Sequence, residues 1–192
     1  MTREQPRFYI GAQSPYAWMT AERIDELLPG ARWHGVLLQA VFQAAGRTSW
    51  GLTDDREQGI SECEQRAREH GLGTIEWPDP WPTSDLLIAR AMAYADMQGR
   101  LREFALEAMR LEFREGAVLS DPASVREAAT RSGLDPDAIE AAVQEQSVKD
   151  ALRATTDEAI ALGVIGVPTV LVADQLFWGD DRLLDAASAS RG

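Results

Sequence analysis

Apolar residues alternate or cluster in short runs near both ends of the chain, and between those ends they recur every third or fourth position. Arg7 to Gly11 reads as a short strand with Phe8 and Ile10 on one face. Ser14 and Pro15 then open a helix, the serine as N-cap and the proline at the first helical position, where its missing N–H is not needed. Ala17, Ala21, Ile24 and Leu28 give that helix one apolar face, and Pro29-Gly30 stops it. Ala31 to Leu38, with Trp33, Val36, Leu37 and Leu38, reads as a second strand, which a crossover helix leaves parallel to the first.

The middle of the chain has a helical period. Asp54 to His70 is charged and helical in bias, and Trp77-Pro78-Asp79-Pro80-Trp81-Pro82 follows as a stiff extended loop. Leu87, Ala91 and Tyr94 mark one apolar face, Leu101, Phe104, Ala105 and Ala108 the next, and Asp121-Pro122 and Asp135-Pro136 start two more helices. A helix bearing Leu152, Thr155, Ala159 and Leu162 ends at Gly163, and Val164 to Val172 turns abruptly β-branched. After Asp174-Gln175 comes a strand at Leu176-Phe177-Trp178, and Gly179-Asp180-Asp181 opens a last helix holding Leu183, Leu184 and Ala187.

The resulting order is β-α-β, helices, helix, β-hairpin, helix. This is an α/β chain with a thioredoxin-like order, interrupted by an α-helical insertion between the β-α-β unit and the C-terminal β-hairpin-helix. The expected division is a thioredoxin-like domain of residues 1–38 and 147–192 around a helical insertion of residues 39–146.

Composition narrows the partners. With 19 basic and 31 acidic residues the formal net charge is −12, a field that repels nucleic acid and anionic membrane surfaces. Lys149 is the sole lysine, which leaves little room for Schiff-base chemistry. The single cysteine, Cys63, excludes an internal disulfide, a Cys-x-x-Cys pair and a cysteine-rich zinc site. A polar Met1-to-Arg7 stretch, and no apolar run near the roughly 18–20 residues of a membrane span, lead to the expectation of a cytoplasmic protein.

Three places carry candidate chemistry. Ser14 stands at the amino end of a helix, where it either caps that helix or supports a bound thiolate. The helix end contributes roughly 0.3–2 kcal/mol and a hydroxyl hydrogen bond to a charged acceptor about 1.5–3 kcal/mol. Together these correspond to a fall of about 1–4 pKa units for a thiol held there. No histidine is evidently placed to make Ser14 itself a nucleophile. At Val167-Pro168-Thr169 a proline enters a strand, and a cis bond there would let the Val167 main chain face an extended ligand. At Gly179-Asp180-Asp181-Arg182 the aspartates either cap the last helix or pair with a ligand ammonium group. Cys63, His34 and His70 read as structural or solvated. Among the tryptophans, Trp18, Trp50 and Trp81 either fill the core or reach the mouth of a substrate cleft, and the Arg47-to-Arg56 region is either a solvated loop or supplies an arginine that holds a substrate carboxylate.

Phe8-Tyr9-Ile10 with Ser14-Pro15-Tyr16, the Trp77-to-Pro82 loop, and above all Gly163-Val164-Ile165-Gly166-Val167-Pro168-Thr169 followed by Phe177-Trp178-Gly179-Asp180-Asp181-Arg182-Leu183 carry a family resemblance. From about Arg7 to Ala187 the chain resembles the 2-hydroxychromene-2-carboxylate isomerases, DsbA-like thioredoxin-fold proteins related to the kappa-class glutathione transferases. The resemblance implies glutathione, or another low-molecular-weight thiol, as cofactor. It implies that Ser14 supports the thiolate, that Val167 before a cis Pro168 binds the thiol's backbone, and that Asp180 and Asp181 hold its γ-glutamyl end. It further implies isomerisation of a conjugated enone by reversible thiolate addition, and a homodimer. The leading expectation is a small aromatic or polyketide-like enone, with Arg47 and Trp81, read from the residues themselves, as the substrate-binding candidates. No metal is implied. The chain departs from the pattern at Gly46-Arg47, where the family commonly has Gly-Asn, and at Ser84, where an asparagine is usual. The alternatives are a kappa-like transferase and a catalytically silent binding scaffold. Disulfide oxidoreduction is disfavoured, because Ser14-Pro15-Tyr16-Ala17 fills the redox-motif place without either cysteine.

Overall fold

Four strands form one sheet in the order β2-β1-β3-β4: β1 (Arg7–Ile10), β2 (Arg32–Gly35), β3 (Thr169–Val172) and β4 (Gln175–Trp178). The computed structural model describes residues 4–191, so Met1 to Arg3 of the polar opening stretch lie outside the described residues. β1 runs parallel to β2 and antiparallel to β3, and β3 and β4 make the C-terminal hairpin. Phe8, Tyr9 and Ile10 are all fully buried. The expected one-sided strand is therefore covered on both faces, as befits a central strand flanked by helices. Phe8 meets Trp33 edge to face across the β1–β2 pair, at 5.0 Å between ring centroids.

The helices are α1 (Pro15–Ala21), α2 (Ile24–Leu27), α3 (Leu38–Ala44), α4 (Arg56–Glu69), α5 (Leu86–Met97), α6 (Leu101–Glu115), α7 (Pro122–Ser132), α8 (Pro136–Ala142), α9 (Gln146–Ala161) and α10 (Leu183–Arg191). α5, α6 and α9 pack on β2, and α10 packs on β3 and α2. The three expected proline starts hold. Ser14, Asp121 and Asp135 each accept a hydrogen bond from their own first turn, and a proline follows each.

Three expectations are corrected. The first helix is interrupted after Ala21, where the Glu22 carboxylate is gripped by Arg110 and Arg114 of α6. The second strand stops at Gly35 rather than Leu38, because Leu37-Leu38 begin α3. The β-branched run from Val164 becomes strand only at Thr169.

One buried group in this scaffold makes stability depend on pH. Glu112 on α6 is 1% exposed, its Oε2 has no hydrogen-bond partner among the described residues, and burial holds its carboxyl well above the ordinary 4.5. The folded chain thus keeps a proton that the unfolded chain releases above that ordinary value. Stability must fall as pH rises from there towards the raised folded value, by up to about 1.4 kcal/mol per pH unit. Glu112→Gln is expected to unfold at higher urea than the parent, by a margin that widens between about pH 5 and pH 8. A margin independent of pH would contradict the assignment.

Candidate active site

Ser14 sits where the loop leaving β1 turns into α1. Its Oγ accepts a hydrogen bond from Ala17 N at 3.2 Å and donates one to Val167 O at 3.4 Å. The first contact is the helix cap. The second crosses the fold to the segment before β3, where the Val167–Pro168 peptide is cis. Pro168 O accepts from Gly179 N at 2.9 Å, which ties this corner to the start of the C-terminal helical segment. Among the described residues, the N–H groups of Tyr16 and Val167 have no protein acceptor. The Ser14 hydroxyl and the Val167 main chain therefore meet at one corner, and Tyr16 lines the same cleft.

That corner opens into a cleft of about 430 Å³. Ser14, Val167, Pro168, Asp180, Asp181, Arg47 and Trp81 all line it, so residues far apart in sequence share one wall. A second hollow of about 770 Å³ adjoins it, sharing Gln13, Leu38, Phe42, Arg47, Thr48 and Ser49. Its far wall contains Ser84 and Asp85. Of the three tryptophans considered for the mouth, Trp50 and Trp81 are in the cleft. Trp18 is not: it is fully buried and stacks on Phe113.

The cleft is framed by contacts that local sequence does not announce. Gln13 Nε2 donates to Thr83 Oγ1 and Ser84 O at 3.0 Å each, and Gln13 Oε1 accepts from Thr83 N at 3.0 Å. This fixes the proline-rich loop, in which the Asp79–Pro80 and Trp81–Pro82 peptides are also cis. Asp85, 8% exposed, accepts from Gln39 N at 3.2 Å and so caps α3 from a distant segment. Burial raises its pKa against the opposing pull of those backbone N–H groups. α3 ends at Gly46 (φ 64), which turns the chain to present Arg47 with its guanidinium 4.5 Å from the Trp178 ring centroid.

Asp180 lines the cleft but its carboxylate is already engaged. It is 3% exposed, and its Oδ1 accepts from Arg66 Nη1 at 2.7 Å, while Arg66 Nη2 also pairs with Glu62 at 2.8 Å. His70 Nε2 lies 3.4 Å from Asp180 Oδ2 but 2.9 Å from Arg23 Nη1. A guanidinium can only donate, so that nitrogen is the acceptor, and its approach to Asp180 is proximity rather than an ion pair. The N-cap of the C-terminal helical segment is Gly179, and among the described residues Asp180 accepts from Arg66 rather than from its own first turn. Asp181 remains exposed on the rim.

Cys63 is fully buried behind the cleft wall, beside the Tyr16 hydroxyl, and burial pushes its thiol up to about 12. A thiol so protonated is a poor nucleophile. Among the described residues, no group of three or more His, Cys, Asp or Glu is placed to hold a metal ion, and no helix is long and apolar enough to cross a membrane.

Trp50 joins Trp77 and Trp81 in an aromatic cluster, with centroids 5.2 Å apart for Trp50 and Trp81. It is seated on Gly59 of α4, where a Cβ would run into the indole ring. Gly59→Ala gains about 1 kcal/mol of helix propensity, but overpacking costs roughly 1–3 kcal/mol. The expected result is a net loss of about 1 kcal/mol and a shift in tryptophan emission as Trp50 is displaced. Unchanged emission with raised stability would show that the slot has room to spare.

Residues 7–190 match the DSBA-like thioredoxin domain model. The chain is 33% identical over 186 residues to a 2-hydroxychromene-2-carboxylate isomerase of Sphingobium xenophagum, covering 92% of each. It superposes on a selenomethionine structure of 2-hydroxychromene-2-carboxylate isomerase with a TM-score of 0.80 and 20% identity, covering 97% of this chain and 94% of the other. A probable DsbA oxidoreductase from Streptomyces coelicolor gives 0.78 and 17%, covering 97% and 88%. Both likenesses bear on the fold.

Proposed function

The chain belongs to the 2-hydroxychromene-2-carboxylate isomerase family of DSBA-like thioredoxin domain proteins, and from that premise we propose that it isomerises a conjugated enone with the help of glutathione or another small thiol. The observation that carries this reading is the meeting of the Ser14 hydroxyl and the Val167 main chain, 3.4 Å apart, at the foot of a cleft. A cysteine-bearing ligand laid along Val167 in an extended form pairs its backbone there and brings its sulfur to Ser14. The hydroxyl then turns from Val167 O to the sulfur, and the free Tyr16 N–H adds a second donor.

The chemistry balances without an oxidant. The thiolate forms a C–S bond at the β-carbon of the enone, and the displaced π pair moves onto the carbonyl oxygen. The former double bond, now single, rotates. The pair then returns, the C–S bond breaks, and the thiolate leaves unchanged. The substrate lies over the wall that the cleft shares with the adjoining hollow, with Arg47, which lines both, for an anionic group and Trp81 and Trp50 of the cleft against its planar part. In this reading the protein supplies orientation and a lowered thiol pKa.

The test is paired. A thiol present at 100 times its dissociation constant should stabilise the fold by about 2.7 kcal/mol. The same thiol should be required, and not consumed, in the conversion of a cis aryl enone to its trans isomer. Isomerisation at full rate without any thiol would end the proposal.

A further inference from the structure

We infer that the thiol this cleft takes has a head group with no net negative charge, its polarity carried by amide, ester or hydroxyl groups, and that glutathione with its two free carboxylates is the weaker ligand. This rests on the thiol reading above and names the ligand class for the same site.

The inference comes from which charges are already engaged. The charged side chains lining the thiol-side cleft are three acids, Glu62, Asp180 and Asp181, against two arginines, Arg47 and Arg66. The single positive charge of Arg66 is already matched by two acids, Glu62 at 2.8 Å and Asp180 at 2.7 Å, so it has no net charge left to balance a ligand carboxylate. Arg47 is therefore the lone lining cation without an acidic partner among the described residues. It lies on the exposed rim over Trp178, a wall shared with the adjoining hollow.

The amino end of the C-terminal helical segment does not make up the deficit. Its first turn already carries Asp180 and Asp181, whose own charges answer the field of its free N–H groups. The glutathione ammonium can meet the exposed Asp181, but its two carboxylates share the one unpaired lining cation, Arg47, which leaves a net negative ligand beside Glu62, Asp180 and Asp181, and like charges brought together are discriminated against. What remains on the walls is hydroxyl, amide and aromatic surface, from Ser14, Ser49, Gln13, Tyr16 and Trp50. Such surface suits uncharged polar groups.

The experiment compares glutathione, its diethyl ester and N-acetylcysteamine by quenching of the cleft tryptophans in the whole protein, at low and high salt. The ester is expected to bind roughly tenfold or more tightly than glutathione. That gap should shrink at high salt and in the Glu62→Gln/Asp181→Asn variant, checked for folding by circular dichroism. N-acetylcysteamine, though smaller, should support enone turnover. Glutathione binding as well as or better than its ester would overturn the inference and leave the thiol reading standing. Binding of none of the three would overturn both.

Discussion

Ser14→Ala is expected to remove thiol-dependent turnover by about 10²–10³-fold in kcat, the cost of deleting one donor aimed at a reacting anion. The chain should stay folded. The variant loses the cap hydrogen bond to Ala17 N, worth about 1 kcal/mol, too little to unfold a domain of this size. A purely structural role for Ser14 predicts that small loss and full activity. The two readings also differ in their pH response. A hydroxyl hydrogen bond of about 1.5–3 kcal/mol to the thiolate lowers the bound thiol's pKa by about 1–2 units. In the alanine variant the thiol ionises at higher pH, so residual activity should climb as pH rises through a range where the parent is already level. A parallel pH profile would refute the role.

Arg66→Met carries the largest expected loss of stability. It leaves the 3% exposed Asp180 carboxylate without its 2.7 Å partner, and stranding a buried charge costs about 3 kcal/mol or more. The Arg23 guanidinium also feels the Asp180 charge, but its Nη1 is turned to His70 Nε2 at 2.9 Å rather than to that carboxylate. Adding Asp180→Asn removes the stranded charge. The double variant should recover a good part of the loss in urea unfolding, a coupling that independent sites do not show. If both single changes and the pair are simply additive, the ion pair is not what holds α4 to the C-terminal segment.

How much of this the sequence disclosed follows from where each signal resides. The strand-turn-helix at Arg7 to Ala21 was legible because its cap and proline are consecutive, and the same holds at Asp121-Pro122 and Asp135-Pro136. α3 was not, because its cap is Asp85 and its entry is held by Thr156 Oγ1 on Leu37 N at 3.1 Å. Without those distant partners, Val36-Leu37-Leu38 is an apolar run that suits a strand. The cleft residues could be named one by one from motifs, but the engagement of Asp180 could not. Arg66 lies 114 positions away on a highly charged helix that gives no hint of which arginine turns inward. Trp18 went astray for a related reason. Burial of an aromatic ring is decided by the helix opposite, here α6 with Phe113.

The burial of Cys63 has a practical consequence if the cleft takes a small thiol as proposed. A catalyst steeped in millimolar sulfhydryl reagents, and in their oxidised dimers, risks being capped by its own ligand. Here the chain's sole thiol is walled off and kept protonated. Under that proposal the reactive anion arrives as a guest, and the buried, protonated Cys63 is poorly placed to form a mixed disulfide with it.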